Sequence, residues 1–136
     1  MKLIVDSNRV IAGLIRDGIA RRILLHPGFQ FYAPEFMLLE IKNLADIIIE
    51  KSGLSPDEFA RIFSLLVSKI KLVPKVQIEA VLKEAEATMG KIDIGDVPFL
   101  AAALAIPNDG IWSEDKHFEK QSEIKVWKTA ALLHLI

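Results

Sequence analysis

Lys2-Leu3-Ile4-Val5-Asp6-Ser7-Asn8, with Val10, Ile11, Leu14 and Ile15 behind it, is the stretch on which the fold turns. Leu3, Ile4 and Val5 run without polar alternation, as a strand buried on both faces does, and Asp6 ends the run. The next apolar residues recur at helical spacing, so strand, turn and helix follow one another directly. Asp6 therefore stands at the carboxyl end of a buried strand, where an open α/β sheet gathers its ligands.

Outward from this unit the same alternation repeats. Ile19, Ile23 and Leu24 continue the helical pattern as far as the breaker His26-Pro27-Gly28, and Phe29 to Ala33 alternate as a short strand. Pro34 is expected to open a long helix from Glu35 to Lys51, with Phe36, Met37, Leu44, Ile47 and Ile48 on one face and Ser52-Gly53 as its stop. Ser55-Pro56-Asp57-Glu58 is a capping box with proline at the first helical position, starting a helix that runs to Lys69. Ile70 to Val73 reads as a third strand stopped by Pro74, and a helix around Ile78, Val81, Leu82 and Ala85 ends near Met89-Gly90. Gly95 to Ala105 is an alanine-rich helix with Pro98 in its first turn. Ile111-Trp112 is a fourth strand, Ile124 to Val126 a fifth, and Thr129 to Ile136 a closing helix. Strands separated by helices, with no repeat and no low-complexity linker, predict an α/β domain with a mostly parallel sheet of four to five strands and helices on both faces.

Composition sets the outer bounds. The chain has 136 residues, 51% of them hydrophobic, a length and apolar content suited to one domain with its own core. No apolar run approaches the roughly 20 residues that span a bilayer, and the opening Met1 to Asp6 is too short for a signal peptide, so a cytoplasmic location is expected. There is no cysteine, which excludes disulfides, thiolate metal sites and cysteine nucleophiles. Lys and Arg number 17 against 18 Asp and Glu, a formal charge of −1, so no global basic field advertises nucleic acid and any polyanion must be met locally.

Against this apolar background four acids are conspicuous. Asp6 and Asp115 follow strand-like runs, while Glu40 and Asp96 interrupt helical stripes. Glu40 has Phe36, Met37, Leu44 and Ile47 as same-face neighbours, and Asp96 has Phe99, Leu100 and Ala103, with Asp93 three residues before it. Ordinary roles compete for each: a turn or N-cap for Asp6 and Asp96, and the cap of a short helix through Phe118 for Asp115. Jointly those roles need four separate coincidences. Buried carboxylates are costly unless neutralised, and four brought together are best neutralised by a divalent cation. Oxygen-only ligands favour Mg²⁺ or Mn²⁺ over zinc.

The motifs resemble those of the PIN-domain family, and most closely its small VapC-type toxin ribonucleases, along the whole chain. Val5-Asp6-Ser7-Asn8 looks like the first motif, Glu40 after Tyr32-Ala33-Pro34 like the second, and Ile92-Asp93-Ile94-Gly95-Asp96-Val97-Pro98-Phe99-Leu100-Ala101-Ala102-Ala103-Leu104 like the third. Ile111-Trp112-Ser113-Glu114-Asp115-Lys116-His117-Phe118 is similar to the fourth, except that His117 stands where a second Asp is typical. The resemblance implies a PIN-like three-layer α/β/α fold, a single nuclease domain over residues 1–136, and an endoribonuclease that hydrolyses RNA phosphodiester bonds with Mg²⁺ or Mn²⁺. It implies Asp6 and Asp96 as primary metal ligands, Glu40 and Asp115 completing the pocket, and Asp93 positioning a water beside the ion. Ser7, Asn8 and Ser113 are then hydrogen-bonding supports of the carboxylates. It also implies the toxin role in a toxin–antitoxin pair, a small antitoxin as partner, and a homodimer or higher homo-oligomer.

Arg9 and Arg16, with Lys116, His117 and Lys120, are expected to flank the pocket mouth as phosphate contacts, against the plainer reading of a solvated face. Arg21 and Arg22 are equally divided. Trp112 and Trp127 read as core or interface aromatics rather than base-stacking platforms. A phosphoaspartyl enzyme of the haloacid dehalogenase type needs a second acid two residues after its nucleophile, where Asn8 stands. A receiver-like domain needs an acidic pair there. A catalytically silent interaction module and a stand-alone RNA-processing nuclease remain as alternatives to the toxin.

Overall fold

The computed structural model describes residues 1–136. Five strands, β1 (Lys2–Val5), β2 (Gln30–Pro34), β3 (Ile70–Val73), β4 (Ile111–Trp112) and β5 (Val126–Trp127), form one sheet in the order β3-β2-β1-β4-β5. Every neighbouring pair is parallel, with Ile4 opposite both Tyr32 and Ile111. The sheet is thus wholly parallel, and Leu3, Ile4 and Val5 are fully buried, as a central strand covered on both faces requires.

Eight helices surround it: α1 (Ser7–Ile15), α2 (Ile19–Leu24), α3 (Phe36–Asn43), α4 (Ala45–Ser52), α5 (Pro56–Ser68), α6 (Lys75–Met89), α7 (Val97–Ala105) and α8 (Thr129–Leu133). From β1 the chain steps outward to β2 and β3, then returns past β1 to β4. Right-handed crossovers in opposite directions place the two sets of helices on opposite faces, giving the α/β/α layering. α1 packs with α2, α4 and α5, while α7 packs on β1, β2 and α6. The reversal falls between β1 and β4, so the crevice beyond their carboxyl ends is the topological switch point.

Two departures from the sequence reading matter for the site. The helix expected from Glu35 to Lys51 is two helices, broken at Leu44, whose backbone (φ −102°, ψ 5°) leaves the helical range. Met37, Ile41 and Ile48 are buried, but Phe36, Leu44 and Ile47 are 37%, 39% and 50% exposed. The expected stripe is therefore split, with Met37 and Ile48 in the core and Phe36, Leu44 and Ile47 partly open to solvent. Pro34 does not open the helix either; it closes β2 opposite Val73, at the strand end. The fifth strand starts two residues later than expected and ends one later, at Val126–Trp127, and the last helix stops at Leu133. The capping box is present as read: Ser55 Oγ accepts from Glu58 N–H at 3.2 Å, and Glu58 Oε1 from Ser55 N–H at 3.1 Å. Hydrogen bonding from the Ser55 backbone N–H, and next from its hydroxyl, holds the Glu58 carboxyl below its usual range.

Trp112 is fully buried, its ring 5.5 Å from that of Phe31, and its indole N–H donates to Thr129 Oγ1 at 3.0 Å. Gly110 precedes this strand with φ 135°, and a Cβ there would lie 2.5 Å from Lys125 O and 2.8 Å from the Trp127 ring. Only glycine permits both the conformation and the approach of β5. Gly110→Ala is expected to lose about 2 kcal/mol of stability and about 7 °C in Tm; an unchanged thermal melt would contradict this account.

Candidate metal centre

Each acid owes its place to a local feature. Asp6 ends β1 and caps α1, its Oδ1 accepting from Asn8 N–H at 3.4 Å. Asp93 caps a 3-10 turn, Ile94–Asp96, by accepting from Gly95 N–H at 2.8 Å. Asp96 ends that turn, and its side chain caps nothing, contrary to the bland role open to it in the sequence. Its helical partners Phe99, Leu100 and Ala103 are buried beneath it. Asp115 lies in a tight turn, its N–H bonded to Ser113 Oγ at 2.9 Å and its Oδ1 accepting from His117 N–H at 2.9 Å. Glu40 is half-buried on α3, and the apolar neighbours that singled it out are mostly exposed. It still reaches the crevice, because Ser7 Oγ donates to its Oε1 at 2.8 Å.

The structure brings all five acids together. Asp6 feels the charge of Asp115, Glu40 that of Asp6 and Asp93, and Asp96 that of Asp115, Asp93 and Asp6. Burial, chiefly, pushes the carboxyls of Asp6 and Glu40 up, against the hydrogen bonds from Ser113 and Ser7. Burial and the three neighbouring carboxylates push Asp96 from 3.8 to about 7. Ser113 is fully buried and its hydroxyl donates to Asp6 Oδ2 at 2.6 Å while accepting from Asp115 N–H, tying the ends of β1 and β4 into one network. No bond from the Asn8 side chain joins it; only the Asn8 backbone does.

His117 enters this cluster directly. Its Nδ1 lies 3.0 Å from Asp93 Oδ2, 3.3 Å from Asp96 Oδ2 and 3.2 Å from Asp115 Oδ1. Despite these distances it is aligned with none of them for a hydrogen bond, and Nδ1 and Asp96 Oδ2 are both buried without a partner. Ligand atoms of Asp93, Asp96 and His117 lie within 4.8 Å of one another. Unpartnered, converging donor atoms are what a bound cation satisfies, so the residues present fit a divalent ion. Sequence reasoning placed His117 among phosphate contacts and as a lost acid; the signal available was its position, where the fourth motif carries a second acid.

A family model described as PIN domain matches residues 4–135. The chain belongs to the PIN-domain family. PIN domains act on nucleic acids, are generally nucleases and bind divalent metals, and the acidic crevice of this PIN domain lies where its sheet topology reverses. No curated protein matches the chain. No helix is long and apolar enough to cross a membrane.

The basic residues divide. Arg9 stands in the first turn of α1 near Asp6 and Glu114, its Nε buried and without a partner. Arg16 caps the other end of α1, about 13 Å along the axis from Ser7, so it does not flank the crevice. Arg21 is structural, donating from Nε to Gly13 O at 2.7 Å. Glu114, absent from the sequence reading, accepts from Thr129 N–H at 2.6 Å and ties the β4 loop to α8. A surface depression lined by Asp17, Arg21, Arg22 and His26 among others contains none of the five acids.

Proposed function

We propose that this PIN domain is a Mg²⁺- or Mn²⁺-dependent endoribonuclease, one nuclease unit over residues 1–136. The observation that carries the reading is the convergence of Asp6, Glu40, Asp93, Asp96 and Asp115 at the switch point with donor atoms left unpartnered. A bound divalent ion supplies positive charge to the phosphoryl oxygens and lowers the pKa of a nearby water. Asp6 and Asp96 would hold it, Glu40 and Asp115 would complete the charge of the pocket, and Asp93 would position the water. Ser113 and Ser7 fix the rotamers of Asp6 and Glu40, and Arg9 supplies a cation at the rim for the substrate phosphate.

The finer role follows from the same resemblance: the toxin of a toxin–antitoxin pair, restrained by a small antitoxin and assembled as a homodimer. Exposed Phe36, Leu39, Leu44 and Ile47 on α3 and α4 support a protein-binding face beside Glu40. One observation favours the silent module instead. The His117 side chain itself stands among three carboxylates, with Nδ1 at 3.0 to 3.3 Å, in the place an ion would take. The deciding experiment incubates the purified protein with an RNA pool in Mn²⁺ or in chelator, beside Asp6→Asn. Cleavage that requires both Mn²⁺ and Asp6 is expected. Its absence transfers the reading to the silent module.

A further inference from the structure

The five acids are not equally satisfied. Asp6 Oδ2 and Glu40 Oε1 are each occupied by a serine hydroxyl, at 2.6 and 2.8 Å. The unsatisfied atoms lie on the other side of the cluster, where Asp96 Oδ2, on a residue only 9% exposed, faces His117 Nδ1 and neither makes a hydrogen bond. The backbone at His117 is held in place from two directions. Its backbone N–H is bonded to Asp115 Oδ1 at 2.9 Å, and the next side chain, Phe118, is fully buried. From that anchored backbone the ring presents Nδ1 to oxygens of Asp93, Asp96 and Asp115 at 3.0, 3.3 and 3.2 Å.

We propose that His117 Nδ1 is a ligand of the cation in this chain, and that the site therefore selects a first-row transition ion over Mg²⁺. The proposal rests on the metal-dependent reading above and narrows it. Mg²⁺ demands oxygen donors in a near-ideal octahedron and dehydrates reluctantly. An imidazole nitrogen adds little for Mg²⁺ but strengthens binding of the softer divalent ions. Two or three carboxylates with one imidazole form a mixed donor set, unlike the all-oxygen pocket expected from the acids alone. The residues that would hold such an ion are His117 with Asp93 and Asp96, whose ligand atoms lie within 4.8 Å of one another.

The test uses Mn²⁺ as the probe. Electron spin echo modulation of the Mn²⁺-loaded full chain is expected to show a directly bonded ¹⁴N, absent in His117→Asp and His117→Gln. Calorimetric titration with each ion is expected to show the preference for Mn²⁺ over Mg²⁺ falling about tenfold or more in His117→Asp, which restores an all-oxygen set. Asp96→Asn serves as the control for location. Binding that depends on Asp96 but shows no ¹⁴N coupling, with an unchanged ion preference in His117→Asp, overturns this proposal and leaves the nuclease reading standing. Mn²⁺ binding that is absent or indifferent to Asp96 overturns both.

Discussion

Asp96→Asn is expected to lower metal-dependent RNA cleavage by about 10³-fold while making the ion-free protein more stable at pH 8. Both effects come from one carboxylate. On the proposed function Asp96 is a metal ligand, and its Oδ2 is buried without a hydrogen-bond partner, so its removal takes a donor atom from the site. In the ion-free fold the same group is buried and repelled by Asp115, Asp93 and Asp6, which is why its carboxyl is pushed to about 7. The amide of asparagine is neutral and nearly isosteric, and its N–H₂ can donate to the neighbouring carboxylates. A gain of about 2 kcal/mol at pH 8 is expected, read as a Tm raised by about 7 °C. Asp6→Asn is expected to give the same sign with a smaller gain, because Asp6 already receives the Ser113 hydroxyl. Activity lost together with stability would mean that Asp96 is a structural residue, and activity retained would remove it from the metal site.

This opposition between stability and chemistry explains which parts of the molecule could be read from sequence. The core of the sheet follows from local rules. Leu3, Ile4 and Val5 form an unbroken apolar run because their strand is central, and the Ser55 box closes with both of its bonds because it needs only residues three apart. The acids were visible because they violate the same rules, being polar where the local pattern calls for apolar residues. Two features were illegible for a common reason. The break at Leu44 is marked by no glycine or proline, and the spacing of Leu44 and Ile47 continues the stripe. Their exposure depends instead on how α4 packs against α1. His117 lies more than 20 positions from Asp93 and Asp96, so no spacing rule joins them; only the return of β4 alongside β1 does. Glu40 shows the limit from the other side. The stripe that singled it out is mostly exposed, yet the residue reaches the crevice through Ser7.

Raising the pH from 5 to 8 is expected to destabilise the ion-free protein, and a saturating divalent ion is expected to cancel the loss. Burial, followed by Asp115, Asp93 and Asp6, raises Asp96 from 3.8 to about 7. A group whose folded pKa is raised binds its proton more tightly in the native state than in the unfolded chain. Its contribution is thus fully present below pH 3.8 and lost as the pH climbs through about 7. The slope is about 1.4 kcal/mol per pH unit inside that window. Asp6 and Glu40, both raised by burial, act in the same direction. Over pH 5 to 8, with solvent screening of this partly exposed group taken into account, the loss comes to about 2 kcal/mol, or about 7 °C in Tm. A bound ion replaces the proton as the neutralising charge, and at a hundredfold excess over its Kd it adds about 2.7 kcal/mol by mass action. Melts in chelator should therefore fall with pH while melts in Mn²⁺ stay nearly level. The two curves should converge near pH 5, where protons compete with the ion for the same oxygens. Asp96→Asn should flatten the chelator curve without help from any ion. If the chelator curve rises from pH 5 to 8 instead, the cluster is not a set of mutually repelling carboxylates, and the physical case for a cation at this crevice fails with it.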